Sequence, residues 1–290
     1  QPSGSVSRVK NSFEKIAWAC GSKLLFSVKG GLWMNRLDDE NKIMSDFQQV
    51  NDNEVMFITQ SEEAERVYRA IHTEALWNKW INSSGKSDPP PDYYSPEYKL
   101  MMDVMRIDDH AYIDVKGKVQ NPTNAGESKL YKELKKSGIL ESFPNAEPIV
   151  IAKTKLPSEK DHNYSFYKSN FKRVVSEHIR KLPLYQSNHI GYKTILFVMD
   201  ESSGYIQCEG KKPDINTIQE GGQLKGYPHL FFCDKSFVKV FMKTGIDYLI
   251  WHAPYKLLRT SEGVLELPKS VIFDCKVDRI DELIEYKEDK

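Results

Sequence analysis

The chain has 290 residues, of which 40% are apolar and 28% charged, a balance that excludes a disordered segment and allows a sizeable buried core. Its 41 basic and 41 acidic residues cancel, which excludes polyanion binding driven by net charge alone. No apolar run approaches the roughly 18 to 20 residues of a membrane helix, so the chain is expected to be soluble and to have no membrane partner.

In chain order, SRVKNSFEKIAWA (7–19) reads as a short helix, and KLLFSV and LWMNRL around KGG read as a hairpin. EVMFIT (54–59) is a strand. Ser61 then precedes a helix in which Val67, Ile71, Trp77 and Trp80 recur at helical spacing, with glutamates in the first turn. SSGKSDPPPDYYSP (83–96) breaks that helix with one glycine and four prolines. It is the expected boundary between an N-terminal hairpin-and-helix subdomain (1–90) and an α/β core (91–290). Beyond it come the charged alternating stretch MMDVMRIDDHAYIDVKGK (101–118), a helix near 127–137, a strand EPIVIAKTKL and a helix SFYKSNFKRVVSEHIRKL. The strand KTILFVMDE, a glycine-rich loop near 221, the helix SFVKVFMKTG and the strand DYLIWHA follow, and an acidic helical tail closes the chain. Strands alternating with helices in this way predict an α/β (α+β) fold with a central mixed sheet flanked by helices.

Cys20, Cys208, Cys233 and Cys275 stand far apart with no CxxC pair. They read as thiols in a reducing compartment, so the expected location is cytoplasmic. The chain opens QPSGSVSR rather than with Met, which leaves a further upstream segment open. From Lys116 to Lys181 there are 14 basic residues against 7 acidic ones. Within this region Lys168, Lys172, Arg173, Arg180 and Lys181 alternate with aromatics, a pattern that can grip phosphates and stack bases. The bland alternative is a solvated amphipathic helix.

The stretch 101–118 carries the chemistry. If Asp108 and Asp109 form its turn, cross-strand partners sum to 217 and Asp103 faces Asp114. Side-chain alternation then brings Lys116 to the same face. Opposed carboxylates about 5 Å apart repel unless compensated. A divalent cation is the natural compensator, because Mg²⁺ takes one or two carboxylates and leaves positions for phosphate oxygens. Lys116 then serves to stabilise developing charge.

Pro91-Asp92, a spacer and Asp114-Val115-Lys116 resemble the PD-(D/E)xK signature of the restriction-endonuclease-like nuclease superfamily. The resemblance implies a mixed sheet flanked by helices, one acid on a strand and an acid-x-Lys triple on its neighbour. It also implies Mg²⁺ or Mn²⁺ as cofactor and phosphodiester hydrolysis of nucleic acid, with DNA favoured. Carried over, Asp103 and Asp114 are the metal ligands and Asp114 and Lys116 the catalytic pair. Asp103 is preferred to Asp92 as first acid, and Glu97 or a glutamate of the helix from 62 matches the acid that members place on a preceding helix. In a second alignment 148–155 is the catalytic strand and Lys153 the lysine, with Ile151 where the acid belongs. That degenerate version implies an inactive nuclease-fold module that binds nucleic acid or protein. A third reading, an unrelated α/β interaction protein, stays open.

Overall fold

A computed structural model of the chain describes residues 23–27, 36–58, 61–83, 90–138, 147–151, 162–208, 226–260, 263–277 and 282–286. Two compact units emerge, Gln1–Asn35 with His110–Asp161, and Arg36–Asp109 with His162–Lys290. The proline run expected to end a first subdomain falls instead between two strands of one sheet in the larger unit.

In the smaller unit Lys23–Ser27 pairs antiparallel with Glu147–Ile151, Tyr112–Ile113 pairs with Val119–Gln120, and Pro122–Lys136 is helical. Of the hairpin expected between KLLFSV and LWMNRL, residues 28–35 lie outside the described residues. The first strand finds its partner more than a hundred residues later, and Arg36 and Leu37 open a helix of the larger unit.

The larger unit is an α/β layer built on a seven-stranded mixed sheet. Its strands are β1 (Val55–Phe57), β2 (Ile81–Asn82), β3 (Tyr93–Ser95), β4 (Leu100–Ile107), β5 (Lys193–Asp200), β6 (Tyr248–His252) and β7 (Ser270–Asp274). They lie in the order β1-β7-β6-β5-β4-β3-β2. The middle strands β4, β5 and β6 run parallel, whereas β2, β3 and β4 form an antiparallel meander. Central strands covered on both faces read as near-continuous apolar runs, as LMMDVMRI, KTILFVMD and YLIWH do.

Period-two alternation splits these runs into two cores. Met102, Val104, Ile195, Phe197 and Ile250 meet α1 (Arg36–Gln48) and α2 (Glu62–His72). Met101, Met105, Leu196, Val198 and Trp251 meet α3 (Tyr164–Ile179), α4 (Leu182–Asn188) and α5 (Lys235–Phe241). Helix α2 starts where expected, with Ser61 Oγ accepting the Ala64 N–H at 3.0 Å. Helix α3 starts at Asn163, whose Oδ1 accepts from Ser165 N–H, and buries Tyr167, Phe171 and Val175 along one stripe. His178 continues that stripe by three residues, which brings it above β4. Pro183 in the first turn of α4 restarts the helical path, and Leu182 and Tyr185 point to the same core.

Candidate functional site

The register Tyr93↔Met102 between β3 and β4, extended by one residue, sets Asp92 opposite Asp103. Asp103 shares the face of Met101 and Met105 and is only 3% exposed; Asp92 is half-buried at the mouth of the meander. The Tyr185 hydroxyl from α4 donates to Asp103 Oδ2 at 2.7 Å, and His178 Nδ1 from α3 is in hydrogen-bonding contact with the same oxygen. Asp92 Oδ2 accepts the Val104 N–H at 2.8 Å.

The two carboxyls titrate apart. Burial, the Asp103 charge and, more weakly, Glu40 of α1 push Asp92 up to about 8, against the pull of the Val104 N–H. Burial acts on Asp103 in the same sense, but hydrogen bonding and charge from His178, with Tyr185 and Asp92, outweigh it and hold Asp103 below the usual carboxylate range. The Tyr185 phenol is raised by burial and by Asp103. Asp92 thus feels both Asp103 and, more weakly, Glu40 at one edge of the sheet. Without a cation the charge conflict is relieved by a proton on Asp92.

A second polar cluster lies at the carboxyl ends of the parallel strands, where α/β sheets commonly bind ligands. Buried Asp200 accepts from Tyr167 OH (2.6 Å), Trp251 Nε1 (2.8 Å) and Ser202 Oγ (2.6 Å). Lys256 Nζ lies 3.5 Å from Asp200, donates to Ser202 Oγ at 2.5 Å and to the Ser203 carbonyl at 2.9 Å, and sits 4.4 Å from the Tyr167 ring centre. Burial lowers the Lys256 ammonium, opposed by Asp200 and Asp109. Ser202 is 1% and Lys256 4% exposed, so this serine and lysine are closed to substrate and act as a rivet. Alongside, Asp109 Oδ2 accepts from Ser203 N–H (2.8 Å) and Tyr205 OH (2.7 Å), and its Oδ1 is 3.2 Å from His162 Nδ1. Ser203 Oγ meets that same nitrogen at 2.6 Å. A serine nucleophile relay needs one imidazole nitrogen for the hydroxyl and the other for the acid, so this trio is not such a relay.

The expected hairpin 101–118 is overturned. Strand β4 pairs with β3 and, in parallel, with β5, so Asp103 lies beside Asp92 and Leu196. Asp108 and Asp109 are not its turn. Asp109 is fully buried in the cluster just described, and Asp108 Oδ1 accepts from Asn170. Asp114 belongs to the other unit, where its carboxylate accepts the N–H groups of Lys116 and Lys118, each at 2.9 Å, and closes a turn. Those N–H groups hold it low, as a turn aspartate rather than an ion partner of Asp103. Lys116 is exposed in that turn, and Lys153 lies outside the described residues. Glu97 pairs with Lys79 at the surface. On α3 and its end, Lys172, Arg180 and Lys181 are exposed, Lys168 leans over Tyr164, and Arg173 is tied to Asn170 and Glu177. Sequence reasoning misses His178, Tyr185 and Glu40. His178 is legible as the next member of the buried α3 stripe, and the signal for Asp92 stands in Pro91-Asp92.

Comparison with family models, characterised proteins and solved structures finds no match to this chain.

Proposed function

We propose that the chain is a metal-dependent nuclease whose Mg²⁺ or Mn²⁺ is held by Asp92 and Asp103, and whose substrate is nucleic acid, DNA in the first instance. The observation that carries this reading is the pairing of Asp92 and Asp103 on adjacent antiparallel strands, one buried and one half-open. Resemblance to the restriction-endonuclease-like superfamily implies one acid on a strand and a second on its neighbour, and these two aspartates meet that requirement better than Asp103 with Asp114. The donor set fits a hard cation, which favours carboxylate oxygens and keeps positions for phosphate. When bound, such a cation polarises the phosphoryl group and neutralises developing charge.

The chain's own residues prepare the site. Tyr185 and His178 fix the Asp103 carboxylate, and the Val104 N–H orients Asp92. A departure from the signature bears on activity. The residue two after Asp103 is Met105, 4% exposed, so the usual lysine is absent from that position. This favours, as second reading, an inactive nucleic-acid-binding module on the same fold.

Cleavage of plasmid DNA and of RNA with Mg²⁺, with Mn²⁺ and with EDTA separates the two. The nuclease reading expects metal-dependent cleavage abolished by Asp92→Asn and by Asp103→Asn. Nucleic-acid binding without cleavage selects the module. Absence of both metal and nucleic-acid binding ends both readings.

A further inference from the structure

We infer that the exposed face of helix Pro122–Lys136 in the smaller unit is a docking surface for the phosphate backbone of duplex nucleic acid. The choice of nucleic acid among polyanions rests on the reading above; the surface itself does not.

At 3.6 residues per turn, Ala125, Lys129, Lys132 and Lys136 fall within about 60° of arc on this helix. All four are exposed, while Leu134, on the far side, is buried. With Ser128 and Glu133 they line a shallow surface depression. The small Ala125 and Ser128 leave the lysine stems standing along one side. Lys129, Lys132 and Lys136 make no ion pair among the described residues. Glu133, four residues after Lys129 and three before Lys136, is the one acid among these lining residues, so with three lysines the face keeps a net positive charge that complements an external anion. Only Lys136, in the last turn, is accounted for by the helix dipole.

From Lys129 to Lys136 the row spans about 10 Å at 1.5 Å per residue. Duplex DNA carries one charge per roughly 1.7 Å of axis, about six phosphates over that length. A straight row of mobile ammonium groups with no aromatic among them reads backbone charge, not base identity. The surface therefore adds sequence-independent affinity.

The test is fluorescence anisotropy of the full chain with a labelled 20-base-pair duplex between 50 and 300 mM salt, in EDTA. Lys129→Gln/Lys132→Gln/Lys136→Gln is expected to weaken binding at least tenfold and to lower the slope of log affinity against log salt by about 2 to 3. The corresponding triple Arg variant keeps both. Unchanged affinity and slope in the Gln variant overturn the inference, as does binding to anionic phosphatidylserine vesicles with none to the duplex. If the wild type never cleaves yet the Gln variant loses binding, the nuclease reading falls and the docking surface stands.

Discussion

Asp92 and Asp103 face each other because β3 and β4 are joined by the tight turn Pro96–Lys99, in which Lys99 adopts a left-handed φ of 49°. The folded state binds the Asp92 proton more tightly than the unfolded chain, since its carboxyl is raised to about 8 from an ordinary 3.8. Stability from this group is therefore present at low pH and lost as pH rises through 4 to 8. Asp92→Asn, a neutral mimic, is expected to raise the melting temperature more at pH 8 than at pH 5 in EDTA. Equal shifts at the two pH values would remove the carboxylate conflict from the account. His252 runs the other way. Its Nδ1 faces Ser270 Oγ and the Lys269 carbonyl, its Nε2 is buried without a hydrogen-bond partner, and burial pushes it down to about 4. Being depressed, it leaves stability intact above the unfolded value of about 6.5 and removes it as pH falls toward 4, by up to ~3 kcal/mol at 1.36 kcal/mol per unit. Urea midpoints between pH 7 and 4 should fall less steeply for His252→Gln than for wild type. Asp103 was legible as half of an acid pair and Asp92 as an alternative first acid in Pro91-Asp92, but their pairing with each other was not. A strand apolar on both faces does not tell which flank carries the returning strand, and a turn at Asp108–Asp109 looked as good as one at Pro96–Lys99.

Helices with a cap and a regular stripe were readable. Ser61 before Ala64, Val67 and Ile71 marks α2, and Tyr167, Phe171 and Val175 mark α3. Helix α1 escaped because RLDDENKIMSDFQ is mostly polar, and only Ile43, Met44 and Phe47 enter the core. The burial contrast along α3 is checkable. Phe171 is fully buried and stacks on Trp251 at 4.5 Å, so Phe171→Ala should cost about 3 to 5 kcal/mol. Its exposed neighbour Lys172 should change stability by under ~0.5 kcal/mol on replacement by Ala. Similar urea midpoints for the two variants would mean that the helix presents another face. At the strand ends, Lys256→Met leaves the Asp200 carboxylate buried without its ammonium, and a loss of about 3 kcal/mol is expected. Adding Asp200→Asn to that variant should recover part of the loss, measured as a double-mutant cycle. Additive losses would show that the pair is not coupled.

For the molecule, the α/β class and the mixed sheet followed from alternating apolar runs and amphipathic stripes. The division into units did not. A proline run is a local signal of stiffness, whereas the His110–Asp161 part of the smaller unit is inserted between Asp109 and His162, a junction closed by the Asn163 N–H to Asp109 carbonyl bond (3.3 Å) and by the contact of His162 Nδ1 with Asp109 Oδ1 (3.2 Å). Nothing in the residues flanking 109 or 162 announces an insertion: Asp109 is fully buried beyond the end of β4, and His162 is exposed. The basic region from Lys116 to Lys181 spans parts of both units.

Strand β1 closes the sheet by bonding to β7, Val55 to Ser270 and Phe57 to Ile272, and among the described residues it has no other strand neighbour. Position 270 follows position 55 by 215 residues. A ribosome adding about 5 to 20 residues per second leaves the apolar VMF segment without its partner for roughly 10 to 40 s. A stalled or prematurely terminated chain lacking Ser270–Asp274 leaves β1 unpaired and presents a bare strand edge at β6. Closure of this sheet therefore waits on the arrival of Ser270–Asp274.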